Sequence, residues 1–292
     1  MHALSYRWHA ICAAIVREKM NKTKPSGGVS MPGISEVKAA LERFSPLPLQ
    51  EDWDNAGLQV GLTTEEVSGV VLCLDVTEAV VAYAVERGSN LIVSHHPLIF
   101  RPLKHVSDGT MVERIVMQAL KAGITILSMH TNLDNAYGGV SYTMAEKLQL
   151  TDVRFLAPKG TTPSDGGSGV IGTLREPLAA EDFISLLKTT FAAQCVMTNT
   201  LLQRPIHRVA LCGGSGAFLA EEAIRQQADA FVTGEMHYHE YFDREQQIML
   251  CIIGHYESEQ YAVNRMAEVI HEALPTLRTD IYPHTTNPVL YH

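Results

Sequence analysis

Short, unbroken runs of Val, Ile and Leu recur along the chain, and most are followed by a stretch with helical spacing. A strand buried on both faces reads as a continuous apolar run, whereas a strand with one wet face alternates. From residue 34 onward the spacing predicts a helix at 34–44, a strand at 69–75, a helix at 77–87, a strand at 90–94, a helix at 110–122, a strand at 124–129 and a helix at 141–149. A Gly/Ser/Thr/Pro-rich loop at 159–169 interrupts the alternation, and a strand at 170–174 and a helix at 179–191 follow. The pattern then restarts with strands at 207–212, 230–233 and 248–253, helices at 217–227 and 257–274, and a closing strand at 279–282. Strands alternating with helices predict βαβ units and an α/β fold with mostly parallel sheets.

The restart reads as a repeat. Val-Val-Leu-Cys at 70–73 falls on Val-Ala-Leu-Cys at 209–212, and Asn-Leu-Ile-Val-Ser at 90–94 on Asp-Ala-Phe-Val-Thr at 229–233. Ile-Leu-Ser-Met-His at 126–130 falls on Cys-Ile-Ile-Gly-His at 251–255, which sets Asp134 on Glu259. The chain length of 292 residues fits two domains of ordinary size. The expected organisation is a leader at 1–30, a first α/β lobe at 31–150 and a second at 151–292. The leader has a short apolar stretch and a Lys/Pro/Ser/Gly tail, without the small-residue cleavage site of a signal peptide. It reads as disordered sequence or as a start assigned upstream of Met20 or Met31.

In open α/β sheets ligands bind beyond the carboxyl ends of the strands, and here those ends carry unusual polar groups. Ser94-His95-His96-Pro97 ends one predicted strand, and His130 to Asp134 follows another. Gly234-Glu235 with Tyr238-His239 follows a third, and His255 with Glu259 a fourth. Adjacent histidines at a strand exit point to different sides and can serve two metals, or one metal and a substrate. His255 and Glu259 share a face if the segment is helical. Imidazole with carboxylate suits zinc, iron, manganese or cobalt, and a carboxylate can bridge two ions. Gly213-Gly214-Ser215-Gly216 reads as a tight turn rather than a phosphate cradle, since it lacks both glycine-rich nucleotide spacings. No G-x-S-x-G elbow occurs.

Composition removes other classes. The chain has 23 Lys and Arg against 32 Asp and Glu, net −9, which argues against a nucleic-acid partner. No apolar run is long enough for a membrane span. The cysteines (Cys12, Cys73, Cys195, Cys212 and Cys251) are scattered and mostly sit in apolar runs, as expected of reduced core residues in a cytoplasmic protein.

Several segments, in this order, resemble one known family: Asp-Trp-Asp-Asn-Ala-Gly-Leu-Gln-Val-Gly at 52–61, Ser-His-His-Pro-Leu at 94–98, His-Thr-Asn-Leu-Asp at 130–134, Cys-Gly-Gly-Ser-Gly at 212–216, Thr-Gly-Glu at 233–235 with Tyr-His at 238–239, and Gly-His-Tyr-Glu-Ser-Glu at 254–259. From about residue 34 to the end, the chain resembles the Nif-three-like dinuclear metal-centre family, also called GTP cyclohydrolase I type 2 homologues. The resemblance implies two α/β lobes with a dinuclear metal site at their interface, and a homohexameric ring. Carried over by motif, the metal ligands are His95, His96, Asp134, His255 and Glu259, holding two divalent ions such as zinc, iron or manganese. His130 sits beside them, as a ligand or behind one. The chain corresponds to the short form without an inserted middle domain. It departs from the family in having Glu235 where Asp is usual. The expected activity is metal-dependent hydrolysis of a small anionic or nucleotide-like substrate, with His130, Glu235 and His239 as proton carriers or positioning groups. The alternative is a non-catalytic metal-binding scaffold or regulator.

Overall fold

The computed structural model describes residues 31–292, so the leader expected at 1–30 lies outside the described residues. The first part of the chain runs through α1 (Ile34–Phe44), β1 (Gly57–Val60), β2 (Val70–Cys73), α2 (Glu78–Arg87), β3 (Leu91–Ser94), α3 (Met111–Ala122), β4 (Thr125–Ser128), α4 (Thr131–Asp134) and α5 (Val140–Lys147). It continues through β5 (Thr151–Pro158), β6 (Gly167–Leu178), α6 (Ala180–Phe191), β7 (Met197–Thr198), β8 (Ile206–Cys212), α7 (Ala220–Arg225) and β9 (Ala230–Thr233). It closes with β10 (Met249–Ile252), α8 (His255–Glu259), α9 (Ala262–Ala273) and β11 (Thr279–Ile281).

These strands make a five-stranded sheet, ordered β1-β4-β3-β2-β11, and a six-stranded sheet, ordered β5-β6-β8-β9-β10-β7. Each has a parallel centre: β2, β3 and β4 in the first, β8, β9 and β10 in the second. Antiparallel strands flank them, with β1 on β4, β7 on β10, and the β5–β6 pair on β8. The central strands β2, β3, β4, β9 and β10 are buried throughout, which is why they read as continuous apolar runs. Thr77 and Thr110 start α2 and α3 by accepting the N–H of Val80 and of Glu113, as helix caps do.

Helices cover both faces of the first sheet. Val71, Ile92 and Ile126 pack on one side against α2 and α3, and Leu72, Leu91 and Leu127 on the other against α1 and α9. The second sheet packs Val209, Leu211 and Val232 against α6 and α5, and Ala210, Phe231 and Leu250 against α7. Two helices are thus exchanged between the halves. Tyr142 and Met144 of α5, early in the chain, join the second core, while Val263, Met266 and Ile270 of α9 join the first. The exchanged helices also meet, with Arg265 reaching Glu146 at 2.7 Å and Thr143 at 3.3 Å. Truncating Met266 to Ala would cost about 2–5 kcal/mol by the usual cavity penalty.

The closing strand, expected to complete the second lobe, instead pairs in parallel with β2 and extends the first sheet. Val70 N–H donates to Arg278 O, and Tyr282 N–H to Leu72 O, which satisfies an edge that β2 would otherwise leave open. The helix expected at 257–274 is two helices, α8 and α9, with Gln260 and Tyr261 between them. Strands β1, β5 and β7 have mixed burial and carry no clean period to read.

Candidate metal centre

His95 and His96 leave the end of β3, His130 leaves β4, and Asp134 ends the short α4. His255 opens α8 directly after β10, and Glu259 ends it. The turn into α8 needs Gly254, whose φ of 102° is a region that L side chains rarely adopt and whose added Cβ would collide with Glu257. On the neighbouring loop a Cβ at Gly214 (φ 62°) would strike the Glu259 carboxylate. The Gly213–Gly216 loop is a tight turn: Gly213, Gly214 and Gly216 give their N–H groups to Ser141, Ser258 and Thr233 respectively, so these are not available to a phosphate.

The strand ends of both halves converge. His95 Nε2 lies 3.6 Å from Asp134 Oδ1 and 3.8 Å from Glu259 Oε1. His96 Nε2 and His255 Nε2 each lie 2.9 Å from Glu259 Oε2, and 3.3 Å from each other. Glu259 therefore offers one oxygen to each side of the cluster. The His130 ring stands 5.4 Å from that of His95 and 5.5 Å from that of His96.

Each ring is aimed by a partner on its Nδ1. His95 Nδ1–H donates to Met129 O at 2.8 Å, His96 Nδ1–H to Asp75 at 2.7 Å, and His130 Nδ1–H to Asp54 at 2.7 Å. His255 Nδ1 lies 3.1 Å from Glu235. With Nδ1 so engaged, Nε2 is the nitrogen left for a ligand, an arrangement common behind metal-bound histidines. Asp54 is itself fixed by the Thr131 N–H and hydroxyl.

The electrostatics describe a site short of positive charge. Burial disfavours charge on His96, but Asp75 and Glu259 outweigh it and raise the imidazole to about 10. His255 is raised to about 9, with Glu259 again outweighing burial. Burial and the charge of Glu259 push the Asp134 carboxyl well above its ordinary range. Glu259 goes the other way: the imidazoles of His255, His95 and His96 around it overcome its burial and hold it well below. In Asp54, burial is outweighed by His130 and Thr131, and the carboxyl sits at about 2. His95 Nε2 and Asp134 Oδ1 are buried and have no hydrogen-bond partner. Such orphaned atoms are costly in a protein alone, and both would be satisfied by a cation. The donor set therefore fits divalent metal; His95, His96 and Glu259 alone already offer atoms within 4.8 Å of one another.

The structure thus gathers His95, His96, Asp134, His255 and Glu259, with His130 alongside. Glu235 lies behind His255, its other oxygen accepting the Ser215 hydroxyl. His239 makes no hydrogen bond or ion pair to the cluster among the described residues; its exposed ring packs against Tyr238 and Phe242. Asp54 and Asp75 were not among the expected site residues. Asp75 closes the apolar run 69–75, just as the histidines close theirs, which was the available signal. A cavity of about 460 Å³ adjoins the cluster, lined from both halves by His96, His130, Asp134, Phe218, His255 and Glu259 among others. Of the cysteines, Cys73, Cys212 and Cys251 are buried and free, whereas Cys195 is free but exposed, unlike the core position expected of it. Among the described residues no helix is long and apolar enough to cross a membrane.

Known proteins match this architecture. A solved Staphylococcus aureus hypothetical protein superposes with a TM-score of 0.82 at 25% identity, over 90% of this chain and all of that one. A Bacillus cereus protein related to NIF3 gives the same TM-score at 22% identity. In sequence, a Clostridium perfringens protein named GTP cyclohydrolase 1 type 2 homolog is 30% identical over 82% of this chain and 92% of its own length. A Drosophila melanogaster NIF3-like protein 1 is 30% identical over 82% of each. Residues 32–288 match the model of the Duf34/NIF3 (NGG1p interacting factor 3) family, and the chain belongs to that family.

Proposed function

We propose that this protein is a metal-dependent hydrolase. Two divalent ions would be held by His95, His96, Asp134, His255 and Glu259, and the substrate would be a small anionic or nucleotide-like molecule. The observation that carries this reading is the pair of unpartnered buried atoms, His95 Nε2 and Asp134 Oδ1, facing each other beside Glu259. Glu259 offers Oε1 towards His95 and Oε2 towards His96 and His255, the division expected of a carboxylate shared by two ions. Ions in such a site polarise substrate oxygens and make water a better nucleophile near neutral pH.

The chain's own groups have separable tasks. Asp54 holds His130 on Nδ1, which leaves Nε2 to accept or hold a proton at the cavity. Glu235 orients His255 rather than meeting substrate. The adjoining cavity of about 460 Å³ is of small-molecule size, which favours catalysis over a purely scaffolding role. The hexameric ring belongs to this reading on the strength of the resemblance, and light scattering would test it.

The experiment is a screen of zinc-, manganese- and iron-loaded protein against phosphoesters, nucleotides and cyclic amides, with Glu259→Gln and Asp134→Asn as controls. The expected result is up to two ions per chain by elemental analysis, and turnover that a chelator abolishes and both variants lack. A protein that cannot be loaded would sink the metal reading. A fully loaded protein inert to the panel would favour the scaffold.

A further inference from the structure

After β11 the chain returns to the cluster and bonds to residues next to its ligands. Two adjacent residues of this tail reach different parts of the site. The Thr286 hydroxyl donates to Asp75 Oδ2 at 2.8 Å, while Asp75 Oδ1 accepts from His96 Nδ1–H at 2.7 Å. The Asn287 amide donates to Glu257 Oε1 at 3.3 Å, and Glu257 is a buried residue of α8, between His255 and Glu259. Further along, Val289 and Tyr291 line a second cavity of about 400 Å³ with Asp75, Glu235, His255 and Glu257.

We infer that the segment around Thr286 and Asn287 is a clip that couples the two halves of the metal centre, with Thr286 positioning His96 through Asp75. The physical basis is a continuous chain of donors and acceptors. A carboxylate that accepts from His96 is free to rotate unless its second oxygen is also engaged, and Thr286 engages it. Locking Asp75 fixes the direction of the His96 ring, so that its Nε2 is held towards Glu259 and His255. Groups behind a ligand act on affinity in this way, typically by about 10–100-fold. Asn287 carries the same tether to α8, the helix that contributes His255 and Glu259. Whatever draws His96 and α8 into place therefore also favours the docked tail, and by reciprocity a docked tail favours the ions.

The inference rests on the metal-binding reading above, and the test separates the two. Zinc affinity is measured by competition with a chromophoric chelator in the full chain, in Thr286→Val, in Thr286→Ser and in Asn287→Ala. In parallel, release of C-terminal residues by carboxypeptidase Y, a serine enzyme indifferent to zinc, is followed with and without zinc. Expected are a loss of up to about tenfold in affinity for Thr286→Val, which acts only through Asp75, recovery to within about twofold for Thr286→Ser, and a smaller loss for Asn287→Ala, against about 10–100-fold for a group bonded directly to a ligand. Zinc should slow the trimming of the wild-type tail, and that protection should be lost in Thr286→Val. Wild-type protein that binds no zinc overturns the metal reading and the clip together. Wild-type protein that binds zinc, with Thr286→Val equal to it in affinity or with a tail trimmed at the same rate whether or not zinc is bound, overturns the clip alone. A general structural defect would lower the melting temperature of Thr286→Val and would not be undone by restoring only the hydroxyl in Thr286→Ser.

Discussion

Asp134 and Glu259 occupy matching places in the two halves, each following a strand that ends in histidine, yet their surroundings are opposite. Glu259 is almost wholly buried and faces three imidazoles, which hold its carboxyl well below the ordinary range. Asp134 faces the negative charge of Glu259 with one oxygen unpartnered, and its carboxyl is pushed well above. The repeat supplies the same residue class twice, and the fold then uses one copy as the hub of an ionic network and leaves the other in need of a cation. A duplicated motif therefore does not imply duplicated chemistry.

Removing the hub should have the largest effect. Glu259→Gln keeps the size and removes the charge shared by His95, His96 and His255. Elemental analysis should find both ions lost, with affinity down by more than about 100-fold, beyond the effect of groups behind a ligand. The metal-free variant should also melt lower, because removing one partner of a buried ionic pair costs a few kcal/mol, about 3–5 in measured cases. Retention of one tightly held ion would show that Glu259 serves only one side.

Asp134→Asn tests the opposite half of the comparison. It should weaken metal binding less than Glu259→Gln and, in the metal-free protein, raise the melting temperature. The sign follows from linkage: a carboxyl raised in the folded state is ionised at neutral pH only at a cost to the fold, and Asn does not incur that cost. If both variants share one site, the affinity loss in the double variant should be less than the two single losses combined. A lower melting temperature for metal-free Asp134→Asn would mean that the repulsion is relieved some other way.

The histidines sharpen the contrast through pH. His96 at about 10 and His255 at about 9 are raised above their ordinary value of 6.5. Their stabilisation of the metal-free protein is fully present below about 6.5 and is lost as pH rises through about 9 to 10. Melting temperature against pH should fall over that window in the metal-free wild type and fall less steeply in Glu259→Gln, where the anionic partner is gone. Parallel curves would place the origin of the loss elsewhere.

Much of this centre was legible in the sequence, because it lies where unbroken apolar runs stop and polar residues begin. The runs ending at His95, at His130 and just before His255 mark buried strands, and the fold brings such ends together without further instruction. What could not be read depends on contacts between distant segments. Nothing in the period of 141–149 distinguishes a helix that covers its own sheet from one that, like α5, covers the other. The same holds for β11, a short Thr-Asp-Ile strand with no apolar run to direct it to one sheet or the other. Asp54 could not be singled out because its partners, His130 and Thr131, are far along the chain. His239 looked like a site residue because it follows a strand end, and in the structure its ring packs against Tyr238 and Phe242.

The smallest effects should come from the groups behind the histidines, and here the two halves differ again. Asp75 bonds His96 on one oxygen and Thr286 on the other, and its charge is favoured by His96 despite burial. Glu235 lies behind His255 in the equivalent role, but its side chain is 57% exposed. Water screens an exposed pair and competes for its hydrogen bonds, so such a pair contributes about 0–1 kcal/mol. Asp75→Asn should therefore lower zinc affinity by about 10–100-fold, whereas Glu235→Gln should lower it by about fivefold at most, and less still in high salt. Equal losses would mean that Glu235 is withdrawn from water when the site is loaded. Glu235→Asp should fall below even Glu235→Gln, since the shorter side chain cannot span from its strand end to His255 Nδ1 while keeping the Ser215 bond. If Glu235→Asp matched the wild type instead, reach would not be what this position selects, and the departure from the family's usual residue would be neutral.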